Sequence, residues 1–571
     1  MKNNYNLVHT IKPLLVTLLV AFPPIAAPQG ANSAIPGAGS ILQQMQPLTP
    51  AVPQSSQSDL RVERDAASAL PAGAPFLVKT ILITGNKKIS TATLHALVAD
   101  GEGKNLTLIQ LGELAGRITD YYRRQGFPLA RAIIPAQSIT AGVVNIQVIV
   151  ARYDKISFDN RSRTNNALIQ ATLEPLQKGQ DIAQAPLDRA LLLLSDIPGV
   201  VVTATLKPAE TVGSSELIVS ATPGAQVSGN VVLDGYGSRY TGRERIGGTV
   251  NINDPLRLRS SDVLSLTALS SGKGLNYGRL GYEVVINGQG TRLGGAHSAL
   301  SYELGESLGQ LNVHGTAQVT SLWAKHPFIR SRDVNLYGQI QYDRLQLRDR
   351  IDRRIDPLAQ TDRNLQNVTL SIAGDARDTV LAGGVNSGTL SLTTGNVDFK
   401  NQDAKAIDAA GTGTQGRFSK VNFNVSRLQG LSPRNGLYFN FAGQWASKNL
   451  DPSQKMTVGG PYTVRAYDVG AVSGDSGYSG TVEYRYDLGS AWQGQWQAIA
   501  FVDSAHVKLN KNFSDSPANS ADLSGAGLGL NWIGPNRWTA KVSLAKPIGS
   551  TPLQVGASNS MRAWVEIGKS F

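Results

Sequence analysis

The residues with the clearest chemical potential are a cation and an aromatic side chain in a Gly-rich loop. Residues 464–467 are Val464, Arg465, Ala466 and Tyr467, and several glycines flank them. A guanidinium can bind a carboxylate through two parallel hydrogen bonds, and Asp503 follows on a later candidate strand. The spacing of Arg465 and Asp503 in the sequence is equally compatible with two charged residues that do not pair and only keep a water-facing surface solvated. The chemistry in question is an ion pair, not a reaction.

Enzymatic and metal chemistry find little support in the remaining motifs. The segment at 474–477, Gly-Asp-Ser-Gly, matches the sequence around a serine-protease nucleophile, but none of the 6 His residues has a context that suits a base. The absence of Cys excludes thiol catalysis, thiolate metal sites and disulfides. Neither a His-Glu-x-x-His motif nor a phosphate-binding Gly-x-x-x-x-Gly-Lys motif is present, and His297 and His314 stand alone on alternating strands. We expect no catalysis, no metal and no cofactor.

The elements around these residues have the period of β-strands. Residues 481–488 alternate apolar and polar side chains, and residues 311–319 and 421–426 do the same. Such a strand has one apolar face and one wet face. About sixteen candidate strands of about ten residues follow one another between residues 226 and 571, separated by turns rich in Gly, Asn, Asp and Ser.

This pattern predicts a transmembrane β-barrel of about 16 antiparallel strands at 226–571. After the N-terminus no apolar run approaches the roughly 20 residues that a membrane helix needs, and a closed barrel is then the structure that pairs every backbone group in lipid. The last strand places its apolar residues on one face: Met561, Ala563, Val565, Ile567 and Phe571. A terminal Phe on such a strand resembles the signal that bacterial outer-membrane proteins present to their assembly machinery, although Lys569 stands where an aromatic residue is usual.

The charge of the chain favours a membrane context over nucleic acid. The net charge is +12, the mean hydropathy is −0.14 and Gly occurs 59 times. Basic residues alternate with apolar ones along the strands and do not form one stripe. We expect them to line a wet lumen or to meet anionic lipopolysaccharide and outer-membrane lipid, and we expect no nucleic-acid partner.

The N-terminal region divides into a signal and a helix with a linker. Lys2, an apolar run at 14–22 and the small residues Ala26 and Ala27 predict a secretory signal peptide at 1–34, with the cleavage site open. At 35–75 we predict a short helix over 40–46, capped by Ser40, and then a linker rich in Pro, Gln and Ser.

Two compact modules precede the barrel, at 76–154 and 155–225. In each, the predicted order is strand, helix, helix, strand, strand. Composition alone would make them anonymous α+β domains. The order and the size resemble the polypeptide-transport-associated, or POTRA, domain.

The resemblance becomes specific in three segments. Residues 126–137, Gly-Phe-Pro-Leu-Ala-Arg-Ala-Ile-Ile-Pro-Ala-Gln, are similar to a stretch of the first POTRA domain of two-partner secretion transporters. Residues 234–243, with Asp-Pro-Leu at 254–256, resemble the opening hairpin of their barrel, and 464–467 resembles the Val-Arg-Gly-aromatic tip of their sixth loop. The chain is identified as a TpsB transporter of the haemolysin secretion/activation family in the Omp85 superfamily. It departs from the pattern at Ala466, for the loop Gly, and at Ala505, for the Gly of a Phe-x-Asp-x-Gly motif.

The resemblance implies a site and a partner. Alternation over 496–507 directs Phe501 and Asp503 to the lumen, so the family's loop latch corresponds to Arg465 and Asp503, with Tyr467 and Phe501 packed beside them. The helix at 40–46 corresponds to a plug, whose apolar residues are Ile41, Leu42 and Met45. The implied function is export of a secreted TpsA exoprotein across the bacterial outer membrane, with the POTRA domains in the periplasm catching it by an exposed sheet edge.

Two other kinds of membrane protein remain as alternatives. An Omp85-type assembly factor shares the barrel and the loop, but it is expected to carry more POTRA domains and no plug helix. A passive porin accounts for the barrel and leaves the two modules without a role.

Overall fold

The computed structural model describes residues 35–45, 59–62, 73–139, 141–256, 261–352, 359–512, 519–555 and 560–571. The predicted signal peptide at 1–34 lies outside the described residues. So does most of the predicted linker.

The first two elements are helix α1 (Ala38–Met45) and strand β1 (Asp59–Val62). The prediction that Ser40 caps α1 is wrong, because the helix starts at Ala38 and Ser40 Oγ donates to Gly37 O at 2.9 Å. The backbone N–H of Ala38 instead donates to Asp349 Oδ1 at 2.6 Å, and a carboxylate at a helix N-terminus also suits the helix dipole. The helix start is set by a residue of the barrel wall.

The first α+β module follows the predicted order with two differences: its first strand is split, and a short strand lies between its two helices. Its elements are β2 (Phe76–Val78), β3 (Thr80–Thr84), α2 (Thr91–His95), β4 (Lys104–Leu106), α3 (Leu108–Arg124), β5 (Arg131–Ile133) and β6 (Val143–Ile149). The first predicted strand of the module is split at Lys79, because β2 pairs with β4 whereas β3 pairs in parallel with β6. A Thr107–Gln110 capping box starts α3, whose buried face includes Leu111, Leu114 and Ile118.

The second module has a larger core and an added strand. Its elements are β7 (Arg152–Asn160), α4 (Asn166–Leu173), α5 (Gln184–Ser195), β8 (Val200–Pro208) and β9 (Ser214–Pro223). The sheet has the order β1-β8-β9-β7, so β1 joins it from a distant part of the sequence. The sequence did not predict this strand. Helix α5 covers the sheet with buried leucines, among them Leu187, Leu191 and Leu194.

A closed antiparallel barrel of 16 strands confirms the predicted fold class. The elements from here to the end of the chain are β10 (Val227–Asp234), β11 (Arg245–Asn253), β12 (Asp262–Ser270), β13 (Leu275–Val285), β14 (Arg292–Glu303), β15 (Val313–Arg330), β16 (Val334–Ile351), β17 (Gln360–Asp378), β18 (Gly384–Phe399), α6 (Gln402–Ala410), β19 (Gly416–Ser432), β20 (Asn435–Ala446), β21 (Met456–Val458), β22 (Val472–Gly474), β23 (Ser476–Ala491), β24 (Gly494–Lys508), β25 (Ser520–Ile533), β26 (Trp538–Pro547) and β27 (Arg562–Ser570). Strands β21 and β22 form a separate hairpin within one loop, and the others are the barrel staves.

The first and last staves close the barrel. Residues 230–234 of β10 pair antiparallel with residues 566–570 of β27, and Phe571 exchanges two backbone hydrogen bonds with Gly229 at 3.0 and 3.1 Å. Side chains alternate along β27 as expected, with Val565 and Ile567 exposed outside and Trp564 buried inside. None of the described helices combines the length and apolarity needed to cross a membrane.

The second module docks against the turn between β15 and β16, at one end of the barrel. Arg330, whose side chain is fully buried, donates two hydrogen bonds to the carboxylate of Asp196 at 2.7 and 2.8 Å. Next to it Arg332 pairs with Asp188 of α5 at 2.8 Å. A bidentate, buried pair of this kind fixes orientation as well as distance. The module is therefore held at a defined angle to the barrel mouth.

Candidate functional site inside the barrel

The loop between β20 and β23, residues 447–475, folds into the lumen and carries Arg465 to the wall. Its hairpin of β21 and β22 aligns the segment at 464–467, where Val464, Ala466 and Tyr467 are buried at 0, 1 and 2% exposure. The side chains of Val464, Ala466 and Tyr467 are apolar or aromatic, and they pack against strands β24 to β26. Their burial leaves Arg465 as the group that meets the polar wall.

Arg465 and Asp503 are joined by three hydrogen bonds. Arg465 Nε donates to Oδ2 of Asp503 at 2.8 Å, and Nη2 donates to Oδ1 at 2.7 Å. The backbone N–H of Arg465 also donates to Oδ2, at 3.1 Å. Asp503 is completely buried, as expected for a lumen-facing position of β24 covered by the loop. The planar guanidinium matches the carboxylate with both of its edge donors.

A second carboxylate, Glu483 of β23, completes a charge cluster that the sequence analysis missed. Arg465 Nη1 donates to Glu483 Oε1 at 2.7 Å, and Arg485 donates to Glu483 Oε2 through Nε at 2.9 Å and Nη2 at 2.6 Å. Two guanidiniums thus balance two carboxylates, so the buried cluster carries no net charge. The signal was present in the sequence, because Glu483 and Arg485 share the wet face of the strand at 481–488.

Aromatic groups hold Arg465 from two sides. The Phe501 ring lies under the guanidinium, with the Cζ atom 3.4 Å from the ring centroid. On the last strand, Trp564 Nε1 donates to the backbone oxygen of Arg465 at 2.7 Å. A cation over an aromatic face in a desolvated place gains about 2 kcal/mol. Tyr467, expected beside Arg465, packs in the same buried cluster as Phe501.

The opening hairpin of the barrel also contacts this loop. The ring of Tyr236 meets Tyr462 of the loop edge-on at 5.6 Å and Trp564 at 6.0 Å between centroids. A little farther along the loop, Asp468 pairs with Arg562 of β27 at 2.8 Å. The loop therefore spans from β23 to the closing seam of the barrel.

Ala466 is accommodated by a glycine on the facing strand. Gly525 lies directly opposite Asp503 in the register of β24 and β25, and a Cβ added to it would come within 2.3 Å of Ala466 Cβ. The methyl group of Ala466 occupies the space that Gly525 leaves. Ala505, the other departure from the family pattern, is 2% exposed and packs in the same apolar cluster.

Helix α1 lies in the lumen beside the loop. Ile41 and Leu42 are buried at 1 and 3% exposure, and Met45 is partly buried. They pack against apolar side chains on the inner wall, such as Leu345, Leu347 and Leu365. These contacts place all three predicted helix residues against the barrel.

Polar contacts of α1 are few and mostly involve backbone atoms. Asp349 accepts the N–H of Ala38, and it also accepts from Tyr302 Oη at 2.6 Å and pairs with Arg363 at 2.7 Å. The Gln43 side chain donates to the backbone oxygen of Ser453 in the loop. At Gly39 the helix backbone and the loop touch so closely that a Cβ would lie 2.7 Å from Ser453 N.

A cavity of about 770 Å³ remains between the loop, α1 and the wall. Polar and apolar residues both line it, and the polar ones include Gln44 of α1, Lys420 and Arg485. Helix and loop thus fill much of the lumen and leave a wet pocket between them.

Two protein-family profiles match this chain. The profile of the family described as haemolysin secretion/activation protein ShlB/FhaC/HecB matches residues 213–532, which is more than half of the chain, and the ShlB-type POTRA domain matches residues 76–150. The chain belongs to the haemolysin secretion/activation family. It is accordingly an outer-membrane transporter of the two-partner secretion type, with its POTRA domains in the periplasm.

Individual relatives extend the match over most of the chain. The heme/hemopexin transporter protein HuxB of Haemophilus influenzae (strain 86-028NP) is 27% identical over 502 residues, covering 87% of both proteins. The structure of CdiB from Escherichia coli is similar with a TM-score of 0.65 at 19% identity, over 93% of this chain and 95% of that one. BamA from Haemophilus ducreyi, in a form lacking POTRA domains 1–3, gives a TM-score of 0.53 at 14% identity over 87% of this chain and all of that one. These two structures share the fold.

The residues considered for catalysis have structural partners in the transporter. Ser476 Oγ accepts the N–H of Ala446 at 3.1 Å at the start of β23. Asp475 is buried and pairs with Lys455 at 3.1 Å. Within the described part of the chain, no three His, Asp or Glu side chains converge to hold a metal ion.

Proposed function

We propose that Arg465 and Asp503 form the latch that holds the sixth loop in the lumen of the resting transporter, and that α1 is its plug. The carrying observation is the bidentate contact at 2.7 and 2.8 Å between a loop guanidinium and a fully buried wall carboxylate. The loop and the helix both lie in the lumen, and a cavity of about 770 Å³ remains between them and the wall. Export then requires movement of at least one of them.

The proposed cargo is a large secreted exoprotein that enters unfolded from the periplasm. Extended chain pairs with an exposed sheet edge through its backbone, so such capture needs little side-chain specificity. The sequence carries no nucleotide-binding motif, so we infer that folding of the cargo outside the cell biases its movement. The alignment with the heme/hemopexin transporter along most of the chain makes a haem- or hemopexin-binding exoprotein the first cargo to assay.

We also propose that the barrel reaches the membrane through the outer-membrane assembly machinery and that its outer face meets lipid and lipopolysaccharide. Large apolar side chains are exposed on that face, including Leu266, Leu370 and Phe441. The exposed Phe571 at the closing seam is the proposed recognition point for the assembly machinery.

The test is export in a Gram-negative host that carries the large exoprotein encoded beside this gene. We expect the exoprotein in the medium only when the transporter is present. Retention of the exoprotein, together with loss of other barrels when this protein is depleted in its native host, would instead identify an assembly factor.

A further inference from the structure

Strand β16 carries side chains of opposite character on its two faces. Leu345 and Leu347 are buried in the lumen, where they pack with α1. Side chains alternate across a strand, so Tyr342, Arg344 and Arg348 point to the outside of the barrel. Both arginines are exposed. They therefore stand on the face that meets the outer membrane.

The outer face of β16 also indicates where the apolar layer of the membrane lies. Its outward apolar residues run from Val334 to Tyr342, with Ile340 exposed between them. A strand segment of this length, tilted by about 40°, covers about 20–25 Å along the membrane normal, close to the height of the apolar band of an outer-membrane barrel. Arg332, next to its start, pairs with Asp188 of the periplasmic module at 2.8 Å. The next outward residue beyond Tyr342 is therefore at the outer boundary of the apolar layer.

That residue is Arg344, and the strands beside it become polar at the same level. Its register partners are Thr320 on β15 and Gln366 on β17, and both are exposed. His297 on β14 continues the row, with Nδ1 3.0 Å from Thr320 Oγ1. Neighbouring strands lie about 5 Å apart, so a hydroxyl and an amide flank the guanidinium. The outward row one step closer to the periplasm is apolar and consists of Leu322, Tyr342 and Val368.

The charges of the two arginines are not compensated by the protein. Among the described residues, neither Arg344 nor Arg348 has a carboxylate partner. Asp362 is the register partner of Arg348, but its two oxygens accept from Arg350 at 2.6 and 3.2 Å. The register partners of Arg344 are uncharged. Two guanidiniums on one face of β16 are thus available to an external anion.

The two arginines lie at different heights above the apolar layer. Four residues of a tilted strand correspond to about 10 Å along the membrane normal. Lipopolysaccharide fills the outer leaflet of a Gram-negative outer membrane, and its lipid A phosphates lie at the edge of the apolar layer while its inner-core phosphates lie farther out. A guanidinium binds a phosphate through two parallel hydrogen bonds. The positions of Arg344 and Arg348 match these two levels.

We propose that Arg344 and Arg348 form a binding site for lipopolysaccharide on the outer face of β16. Arg344 binds a lipid A phosphate, flanked by Thr320 and Gln366, and Arg348 binds a phosphate of the inner core. The site lies directly behind the wall segment on which α1 packs. The inference rests on the proposed contact of the outer face with lipopolysaccharide and names the residues that make it.

The test measures lipopolysaccharide binding by the full-length protein refolded in detergent. The probe is lipopolysaccharide with a phosphorylated lipid A and inner core, titrated and quantified by native mass spectrometry. Arg344→Gln/Arg348→Gln removes both guanidiniums. The matched control, Arg377→Gln/Arg434→Gln, removes two exposed arginines from the periplasmic end of the barrel, one at the end of β17 and one in the turn between β19 and β20. The heat shift of the folded band on gels verifies that each variant has a closed barrel.

We expect Arg344→Gln/Arg348→Gln to bind lipopolysaccharide at least about tenfold more weakly than the wild type, and the control variant to bind like the wild type. Removal of the phosphates from the lipopolysaccharide should weaken binding to the wild type to a similar extent. Equal affinities of the two double variants, or undiminished binding of the dephosphorylated lipid, would overturn the proposal.

Two further measurements sharpen the assignment. Arg344→Lys/Arg348→Lys keeps both charges and loses the planar fork, so we expect it to bind several-fold more weakly than the wild type, and wild-type affinity would contradict the bidentate contact. Phosphatidylglycerol should bind the wild type more weakly than lipopolysaccharide does. Equal affinity for the two lipids would assign the site to anionic lipid in general and overturn the assignment to lipopolysaccharide.

Failure of this site can be distinguished from failure of the wider proposal. If the wild type binds no lipopolysaccharide, the proposed contact of the outer face with this lipid fails. If the wild type binds it and Arg344→Gln/Arg348→Gln binds it equally well, the site on β16 alone fails.

Discussion

Arg465 and helix α1 lie in the same lumen, yet they contact the barrel wall through different kinds of interaction. The loop meets the wall through charge: Arg465 bonds to Asp503 and Glu483, and Phe501 lies under it. Helix α1 meets the wall through apolar packing, one backbone N–H on Asp349 and a close approach at Gly39. Helix α1 has no charged side chain, so it forms no side-chain ion pair with the wall.

The difference determines which element is easier to remove. If the loop leaves, Asp503 loses its three hydrogen bonds to Arg465, and each hydrogen bond to a charged group contributes about 1.5–3 kcal/mol before water replaces it. If α1 leaves, Asp349 keeps Arg363 and Tyr302 as partners. We therefore expect α1 to leave the lumen first, with the loop braced until the cargo has entered.

Loss of Arg465, the cation of the proposed latch, has the largest expected effect. Arg465→Ala leaves Asp503 buried without its main partner, so we expect a destabilisation of about 3–5 kcal/mol at the loop, and Arg465→Asp should leave the barrel inserted but block secretion. The measurements are the midpoint of heat unfolding on gels, which reports the barrel, and the amount of exoprotein in the medium.

The matched control for this variant is Arg485→Ala. Arg485 pairs with the same Glu483 and also stacks on an aromatic ring, that of Tyr438, but it does not touch Asp503. Its loss leaves Glu483 paired with Arg465 alone, so we expect a smaller loss of export than for Arg465→Asp. Normal export by Arg465→Asp would contradict the latch role.

A steric change opposite the latch should have the next largest effect. In Gly525→Ala the new Cβ would lie 2.3 Å from Ala466 Cβ, and overpacking of this kind costs about 1–3 kcal/mol. We expect reduced loop protection from protease and reduced export. The compensating double variant Gly525→Ala/Ala466→Gly removes the clashing methyl, so it should recover part of the loss.

This rescue separates packing from charge. If Ala466→Gly gave no recovery, the clash with Ala466 would not be the cause of the defect, and the neighbouring Lys546 O, 3.2 Å from the same Cβ, would have to account for it.

Helix α1, the proposed plug, can be loosened without changing any charged residue. In Gly39→Ala the Cβ would meet the backbone N of Ser453 at 2.7 Å, while the same change gains up to about 1 kcal/mol of helix propensity. We expect the helix to remain formed but to leave its seat more often, which raises the conductance of single channels in planar bilayers. Gly116→Ala in α3, where nothing lies within 4 Å, is the control and should not change the conductance.

Part of the site around Arg465 can be predicted from the sequence. The inward direction of Phe501 and Asp503 follows from the two-residue period of a strand, a local property that the sequence displays in full. The same two-residue period also directs Glu483 to the lumen. Nothing in the spacing of Glu483 and Arg465 along the sequence identifies them as partners. The role of Glu483 depends on where the loop folds, and that is set by packing against several strands.

Local sequence patterns do not predict an element whose position depends on residues far away in the chain. The start of α1 depends on Asp349, about three hundred residues away, so the local signal of Ser40 gave the wrong cap. Strand β1 has four residues in a polar linker, and its pairing partner β8 lies in the second α+β module. The space for Ala466 is created by a glycine on another strand, which no motif around Ala466 records.

The smallest effect is expected at the carboxylate that receives α1. Asp349→Asn keeps an acceptor for Ala38 N–H but loses the charge, so the helix should lose about 1 kcal/mol of its docking free energy, while Arg363 still has Asp451 at 3.1 Å. We expect a modest rise in channel opening in bilayers and unchanged export. Asp343→Asn, on the inner face of the same strand and bonded to Ser321 instead of α1, should show no rise. The decisive comparison repeats Asp349→Asn in a chain lacking residues 38–45: because the helix is gone, the substitution should then no longer alter the conductance, and a persisting effect would show that Asp349 acts on the wall and not on the plug.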